Sequence, residues 1–98
     1  MDPIAGFDWD EGDREKCQKH GVSIAEIESV FEGSPIFATD AGHSLDEVRV
    51  RAVGQASSGR FVFVVFTIRR RLGQRLIRPL GARYMHRKEV RRYEETKP

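Results

Sequence analysis

The sequence predicts an α+β fold in which an antiparallel β-sheet is flanked by helices, in the order β-α-α-β-β-β-β-α. Two adjacent helix signals, a series of strand-like segments without an intervening helix, and a final helical segment lead to this prediction. Strands that follow one another in this way favour antiparallel pairing. Because 98 residues are too few for two separate cores, we expect residues 1–98 to form a single domain.

The N-terminal part of the chain predicts a strand and then a helix. Aromatic residues alternate onto one face of the segment Ile4–Trp9, which is typical of a strand. Asp10 is a suitable N-cap for a helix that runs to about His20. Gly21 is a favoured residue just beyond a helix end, so we expect this helix to stop there.

Capping boxes mark the other two helices. Ser23 and Glu26 have the spacing at which the serine oxygen and the glutamate carboxylate each accept a backbone N–H at a helix start. An apolar stripe follows, and the Gly-Ser-Pro segment at residues 33–35 predicts the end of this helix. The last helix is predicted at His86–Glu95, where Glu89 occupies the position of a capping partner.

Four strands are predicted between the second and third helices. One of them is apolar on both faces, as expected for a central strand that is covered on each side. Pro79 has no N–H to donate, so we expect the last strand to leave the sheet near this residue. Asp40–Ser44 is predicted to be a polar loop, and Arg69–Gly73 a turn. The predicted strands are Ile36–Thr39, Glu47–Gly54, Phe61–Ile68 and Gln74–Leu80.

The charge distribution is strongly asymmetric, although the net charge is only +2. Residues 1–50 carry twelve acidic and four basic side chains, whereas residues 51–98 carry thirteen basic and three acidic ones. Such asymmetry indicates a surface that attracts a polyanion or an acidic partner protein. The alternative is that the two halves fold against each other and neutralise part of their charge.

Several classes of protein are disfavoured. The chain has no phosphate-binding glycine loop, CxxC pair, HExxH motif or nucleophile elbow, and its three histidines are far apart, so we expect neither a metal nor a cofactor. No apolar run approaches the roughly 20 residues of a membrane span. Met1-Asp2-Pro3 lacks the features of a secretory signal, and Cys17 has no second cysteine for an internal disulfide. We therefore expect a cytoplasmic protein without membrane contact.

The arginine-rich last hairpin and helix point to a nucleic acid or an acidic partner protein. Guanidinium groups form bidentate, permanently charged hydrogen bonds with phosphodiesters, and aromatic rings provide stacking faces for unpaired bases. Pairing of the arginines with the acidic N-terminal half is the alternative for any one of them. The candidate RNA-binding residues are Trp9, Arg69, Arg75, Arg78, Tyr84 and His86.

Cleavage of RNA without a metal requires a proton acceptor for the 2′-hydroxyl, a cation that stabilises the transition-state charge, and an acid that protonates the leaving 5′-oxygen. Lysine and arginine can supply the cation, whereas histidine, glutamate and tyrosine can transfer protons. A purely structural role remains open for each residue, as a helix cap or as a packing residue. The candidate catalytic residues are Lys19, His20, Arg83, Glu89 and Tyr93.

The chain resembles the BrnT family of toxins over nearly its whole length. The resemblance rests on the opening Phe7-Asp8-Trp9-Asp10-Glu11, the turn Lys19-His20-Gly21-Val22-Ser23, and the closing pattern Arg78…Ala82-Arg83…Glu89…Tyr93-Glu94-Glu95. In the family a serine commonly precedes the Ala-Arg pair and a threonine commonly caps the last helix. Gly81 and His86 occupy these two places here.

This resemblance implies a fold related to RelE-type ribonucleases. It also implies metal-independent RNA cleavage that inhibits translation and growth, and a cognate BrnA-like antitoxin that neutralises the toxin. Contact with DNA is implied only through the toxin–antitoxin complex. The functional residues that the resemblance carries over are Trp9, Lys19, His20, Arg78, Arg83, Glu89 and Tyr93.

A second interpretation is a catalytically inactive binding module, either a decayed toxin or an adaptor that binds RNA or a partner. Gly81 in place of the serine favours this alternative. It predicts RNA or partner binding that weakens steeply with salt, without cleavage.

Overall fold

The computed structural model describes residues 4–39 and 48–96, and over these residues five strands and three helices follow one another in the predicted order. The predicted loop at Asp40–Ser44 and the first residue of the predicted strand Glu47–Gly54 lie outside the described residues. The elements are β1 (Ile4–Phe7), α1 (Glu11–Gln18), α2 (Ile24–Glu32), β2 (Ile36–Thr39), β3 (Val50–Gln55), β4 (Phe61–Arg71), β5 (Gln74–Tyr84) and α3 (Arg87–Thr96).

The described strands form one sheet in the order β1-β5-β4-β3-β2. Strands β2 to β5 are an antiparallel meander, as predicted. β1 pairs in parallel with β5, so the sheet as a whole is mixed. α1 and α2 connect the two edges of the sheet, because β1 and β2 lie at opposite ends of the strand order.

The expectation that the last strand leaves the sheet near Pro79 is wrong, because β5 continues to Tyr84. A register shift accommodates the proline: Phe66 lies opposite Pro79 and Val65 lies opposite Gly81, so one residue of β5 has no partner between them. This extra residue is a β-bulge, which interrupts the ladder locally and bends the strand. The bulge therefore divides the β4–β5 ribbon into two parts, one next to the turn and one next to α3.

Helices α1 and α2 cover one face of the sheet, and the core lies between them and the strands. Val62 and Val64 of β4 are fully buried there, together with Val22 and Ile27. The opposite face is covered only in part. α3 packs its Tyr93 ring on Phe61, with 5.6 Å between the ring centroids, and the next apolar positions of this face stay partly exposed.

The predicted helix signals are confirmed with one difference. Ser23 and Glu26 form both hydrogen bonds of the capping box, and Gly21 adopts a φ of 89°, which favours glycine. Asp10 stands at the N-cap position of α1 but makes no side-chain cap hydrogen bond. Its carboxylate instead contacts Arg78 at 3.1 Å, because an ion pair with the neighbouring strand is within reach. Among residues 4–39 and 48–96, no helix combines the length and apolar composition needed to cross a membrane.

Candidate active site

Arg83 is held in a fixed orientation next to the start of α3. Its Nη1 and Nη2 atoms each donate a hydrogen bond of 2.8 Å to one carboxylate oxygen of Glu89. Glu89 also accepts the backbone N–H of His86 at 2.8 Å, which confirms its predicted role as a capping partner. The guanidinium carbon lies 4.6 Å from the ring centroid of Phe63. A bidentate carboxylate and an aromatic face thus restrain the guanidinium together.

The register of the sheet explains how Phe63 comes to lie beneath Arg83. Ile36, Val53, Phe63 and Arg83 are consecutive partners across β2, β3, β4 and β5. Directly opposed residues of antiparallel strands share a face, so these four side chains form one row on the face opposite α1 and α2. Arg83 is the last residue of this row, and the other three side chains are apolar.

A cavity of about 350 Å³ opens on one side of Phe63 and Arg83. The last turn of α1 and the residues just after it supply the three basic side chains of its wall, Lys16, Lys19 and His20. We call this space the basic cavity, because none of the lining residues that the structure describes is acidic. The sheet contributes the remaining residues, which are Phe63, Val65, Leu80, Gly81, Ala82 and Arg83.

A second cavity, of about 270 Å³, lies between the sheet and α3. Phe63 lines both cavities, so they adjoin at its ring. Apart from Glu89 and Arg92, the second cavity is lined by apolar and aromatic side chains, and we call it the apolar cavity. Its residues are Ile36, Val53, Phe63, Met85, Glu89, Arg92 and Tyr93.

All five candidate catalytic residues border these two cavities. Lys19, His20 and Arg83 line the basic cavity, whereas Glu89 and Tyr93 line the apolar cavity. The bidentate hydrogen bond between Arg83 and Glu89 connects the two groups. The structure thus places residues from the turn after α1, from β5 and from α3 next to one another.

Sequence reasoning missed two residues of this region, Lys16 and Phe63. Lys16 precedes Lys19 by three positions and His20 by four, which is the spacing of neighbours on one helix face, so the helix pattern contained a signal for it. Phe63 had no such signal, because its contact with Arg83 depends on the pairing register of two strands.

The ion pair determines the protonation state of Glu89. Its hydrogen bonds with Arg83, and then with the backbone of His86, lower the pKa of the Glu89 carboxyl from 4.5 to about 2. The same hydrogen bonds raise the pKa of Arg83 above its ordinary value. Both groups are therefore ionised at neutral pH.

Two of the candidate RNA-binding arginines have carboxylate partners near the turn between β4 and β5. Arg69 lies 3.2 Å from Asp8, and Arg78 donates from Nε to Asp13 at 3.0 Å. Asp13 is only 7% exposed, so Arg78 compensates a buried charge. The acidic N-terminal segment therefore folds against these arginines. This agrees with the alternative interpretation of the charge asymmetry, in which the two halves neutralise part of their charge. Arg75 is partly buried in β5, opposite Arg70.

The candidate stacking residues also have partners within the fold. The Trp9 indole donates to Glu28 at 3.0 Å, and the Tyr84 hydroxyl donates to Glu26 at 2.7 Å. The guanidinium carbon of Arg60 lies 3.3 Å from the Tyr84 ring centroid, so one face of this ring is covered. His86 is exposed, and a role of any of these residues in RNA binding stays a prediction.

Comparison with known protein families gives a match over most of the chain. A sequence model of the ribonuclease toxin BrnT, of type II toxin–antitoxin systems, matches residues 9–89. The chain belongs to the BrnT family. A search of curated proteins found no match.

Membership of the BrnT family agrees with the resemblance noted from the sequence. A toxin of this kind has RNA as its substrate and an antitoxin as its partner. The matched segment contains every candidate residue except Tyr93.

Gly81 is the clearest departure from the BrnT pattern within the site. It lines the basic cavity, and a β-carbon at this position would meet no atom within 4 Å. Glycine therefore leaves open space at this point of the cavity wall.

Proposed function

We propose that this member of the BrnT family is an endoribonuclease that cleaves RNA without a metal ion, inhibits translation and growth in the cytoplasm, and is neutralised by a BrnA-like antitoxin. One observation carries the proposal. The Arg83 guanidinium is held by Glu89 at the rim of a cavity whose wall contains three basic side chains, from the end of α1 and the turn that follows it.

In this proposal Arg83 binds the scissile phosphate. Glu89 takes two of the five N–H groups of the guanidinium, and a phosphate oxygen needs one or two of the others. The carboxylate offsets part of the guanidinium charge, whereas Lys16 and Lys19 keep the cavity positive. A restrained cation that faces developing negative charge stabilises a transition state without reorganising during the reaction.

The chemical step is an attack of the RNA 2′-oxygen on the adjacent phosphorus. The bond from phosphorus to the 5′-oxygen breaks, so the products are a 2′,3′-cyclic phosphate and a 5′-hydroxyl. A base removes the 2′-hydroxyl proton, and an acid protonates the leaving oxygen. His20 is the proposed group for proton transfer because it lines the basic cavity, and Lys19 is the proposed additional cation.

Glu89 acts as a positioning residue in this scheme. Its pKa of about 2 makes it a weak proton acceptor, and both of its oxygens accept hydrogen bonds from Arg83. Tyr93, which is 6% exposed and packs on Phe61, forms a wall of the site. RNA outside the cavities would contact the more peripheral candidates, which are Trp9, Arg69, Arg75, Arg78, Tyr84 and His86.

The proposal is tested with tightly controlled expression in bacteria, followed by growth and by the integrity of total RNA. We expect growth arrest with fragmented RNA, and recovery when the cognate antitoxin is expressed together with the toxin. The purified chain should cleave single-stranded RNA in the presence of EDTA and leave a 2′,3′-cyclic phosphate. Cleavage that occurs only after a divalent metal is restored would contradict the metal-independent mechanism.

The second candidate function is a binding module that does not cleave RNA. The observation that favours it is Gly81, which leaves the basic cavity without a side chain at that position. Intact RNA and normal growth at confirmed expression, together with RNA binding that weakens steeply with salt, would establish this alternative.

A further inference from the structure

The apolar cavity is a partly open space whose floor is built from the sheet. Ile36, Val53 and Phe63 are consecutive partners across β2, β3 and β4, and all three are only partly buried. Their apolar surface is not covered by α1 or α2, because those helices pack on the other face. An apolar concavity with a few polar groups at its edge is typical of a ligand site.

The wall of this cavity is held in place independently of any ligand. The start of α3 is connected to β5 by the two hydrogen bonds between Glu89 and Arg83. One turn later, the Tyr93 ring packs on Phe61 with an angle of 62° between the ring planes. The cavity therefore has a preformed shape, so a ligand would not have to order α3 when it binds.

The apolar cavity adjoins Arg83, and this position favours an aromatic ligand that is linked to a phosphate. The Phe63 ring lies beneath the guanidinium of Arg83 and also lines the apolar cavity. A nucleotide whose phosphate contacts Arg83 would thus have an aromatic, apolar space next to that phosphate. Unpaired bases bind proteins by stacking on aromatic side chains and need little else from the site.

We propose that the apolar cavity binds one unpaired nucleobase of the RNA, next to the phosphate that contacts Arg83. The base stacks on the floor formed by Val53 and Phe63, and Arg92 at the rim faces the neighbouring backbone. This inference rests on the proposed function, because it uses the phosphate contact of Arg83. It adds a subsite that selects which nucleotides can flank the cleaved bond.

The test measures binding and does not depend on cleavage. Short single-stranded 2′-O-methyl RNA lacks the nucleophilic hydroxyl, so it binds without being cut. Its dissociation constant is measured by fluorescence anisotropy with one abasic nucleotide moved through the sequence. At one position the missing base should weaken binding to the wild-type chain about tenfold, as expected for the loss of one stacked base.

The matched variants are Phe63→Leu, inside the cavity, and Phe37→Leu, which makes the same change at a residue that is 54% exposed and outside it. In Phe63→Leu the penalty for the missing base should fall below about twofold, because the stacking ring is absent. Any effect through Arg83 weakens the intact and the abasic RNA alike and cancels in this ratio. Phe37→Leu should keep the wild-type penalty.

A measurement on the unaltered chain covers the case in which Phe63→Leu does not fold. Methyl resonances of Ile36, Val53 and Met85 should shift by ring current when the 2′-O-methyl RNA is added, and the shifts should disappear with the abasic RNA. The proposal is overturned if no abasic position matters, if Phe63→Leu keeps the full penalty, or if these methyl groups respond to the antitoxin and not to RNA. A chain that binds the base but never cleaves RNA would refute the proposed function alone.

Discussion

The two ends of the β4–β5 ribbon use arginine in different ways. Near the turn, arginines face the acidic N-terminal segment: Arg71 lies 3.1 Å from Asp8, and Arg78 contacts both Asp10 and Asp13. Two of these carboxylates are shielded from solvent, since the side chains of Asp8 and Asp13 are 13% and 9% exposed. At this end the ion pairs connect α1 and the segment between β1 and α1 to strands β4 and β5.

At the other end of the ribbon, the cations around the basic cavity outnumber the carboxylate of Glu89 that pairs with Arg83. Arg83 has Glu89 as its carboxylate partner, and the end of α1 brings two lysines to the same cavity. The bulge next to Pro79 lies between the two ends and separates the turn-end arginines from Arg83. The two ends therefore differ in charge balance: ion pairs with carboxylates stabilise the fold at the turn end, whereas excess positive charge at a cavity suits a phosphate.

The largest expected effect comes from Arg83→Ala. We expect RNA cleavage to fall about a hundredfold or more, as when a donor that stabilises transition-state charge is removed. Its side chain is 35% exposed, so the loss of the ion pair should change the free energy of unfolding by no more than about 1 kcal/mol. The measurements are initial cleavage rates and urea denaturation.

The matched control for that variant is Arg71→Ala, which removes the same charge at the turn end of the ribbon. Its side chain is 57% exposed, and we expect cleavage within about twofold of wild type. Equal losses of activity in both variants would mean that total charge matters and that the two ends do not differ.

Arg78→Ala should mainly lower stability, whereas Arg83→Ala should mainly lower activity. Removing this arginine leaves Asp13, which is 7% exposed, without its Nε hydrogen bond, so we expect the free energy of unfolding to fall by about 2–3 kcal/mol. Urea denaturation gives this value, and Asp13→Asn in the same chain should recover part of it. An unchanged midpoint with weaker RNA binding would instead assign Arg78 to the RNA interface.

Local patterns predicted most of the elements. The capping box at Ser23, the glycine at Gly21 and the alternation of the strands depend on neighbours in sequence, so they could be read directly. The parallel pairing of β1 and the continuation of β5 beyond Pro79 depend on which strands pair in the folded chain. Residues that are close in sequence do not determine this pairing.

The candidate site divides in the same way. The pairing of Arg83 with Glu89 spans six residues and belongs to a pattern visible in the sequence. The contact between Arg78 and Asp13 spans 65 residues, so the sequence indicated only a general alternative, in which the acidic and basic halves neutralise part of each other's charge. Which arginines are compensated was decided by the tertiary structure alone.

Glu89→Gln tests whether the carboxylate of Glu89 positions Arg83. Glutamine is also a capping partner, so α3 should still begin at Arg87. We expect cleavage to fall about tenfold, because the guanidinium loses its charged bidentate partner. If Glu89→Gln cleaves RNA as fast as wild type at any pH, Glu89 does not position Arg83.

The same variant has a pH signature in stability. Because the pKa of Glu89 is lowered from 4.5 to about 2 in the folded chain, its ion pair stabilises the fold fully above about pH 4.5. This stabilisation is lost as the pH falls towards about 2. Urea denaturation should therefore show wild type more stable than Glu89→Gln at pH 7, and the difference should shrink between pH 4.5 and 2.5. A constant difference would mean that the carboxylate is not held by Arg83.

The smallest effect is expected at the turn itself. Leu72 is fully exposed and adopts a φ of 51°, and Gly73 follows with a φ of 76°. Turns with two such residues favour asparagine followed by glycine, because a β-branched or bulky side chain is strained there. Leu72→Asn should raise the free energy of unfolding by about 0.5–1 kcal/mol. Cleavage should not change, since the turn lies beyond the bulge from Arg83; a changed cleavage rate would show that the two ends of the ribbon are coupled.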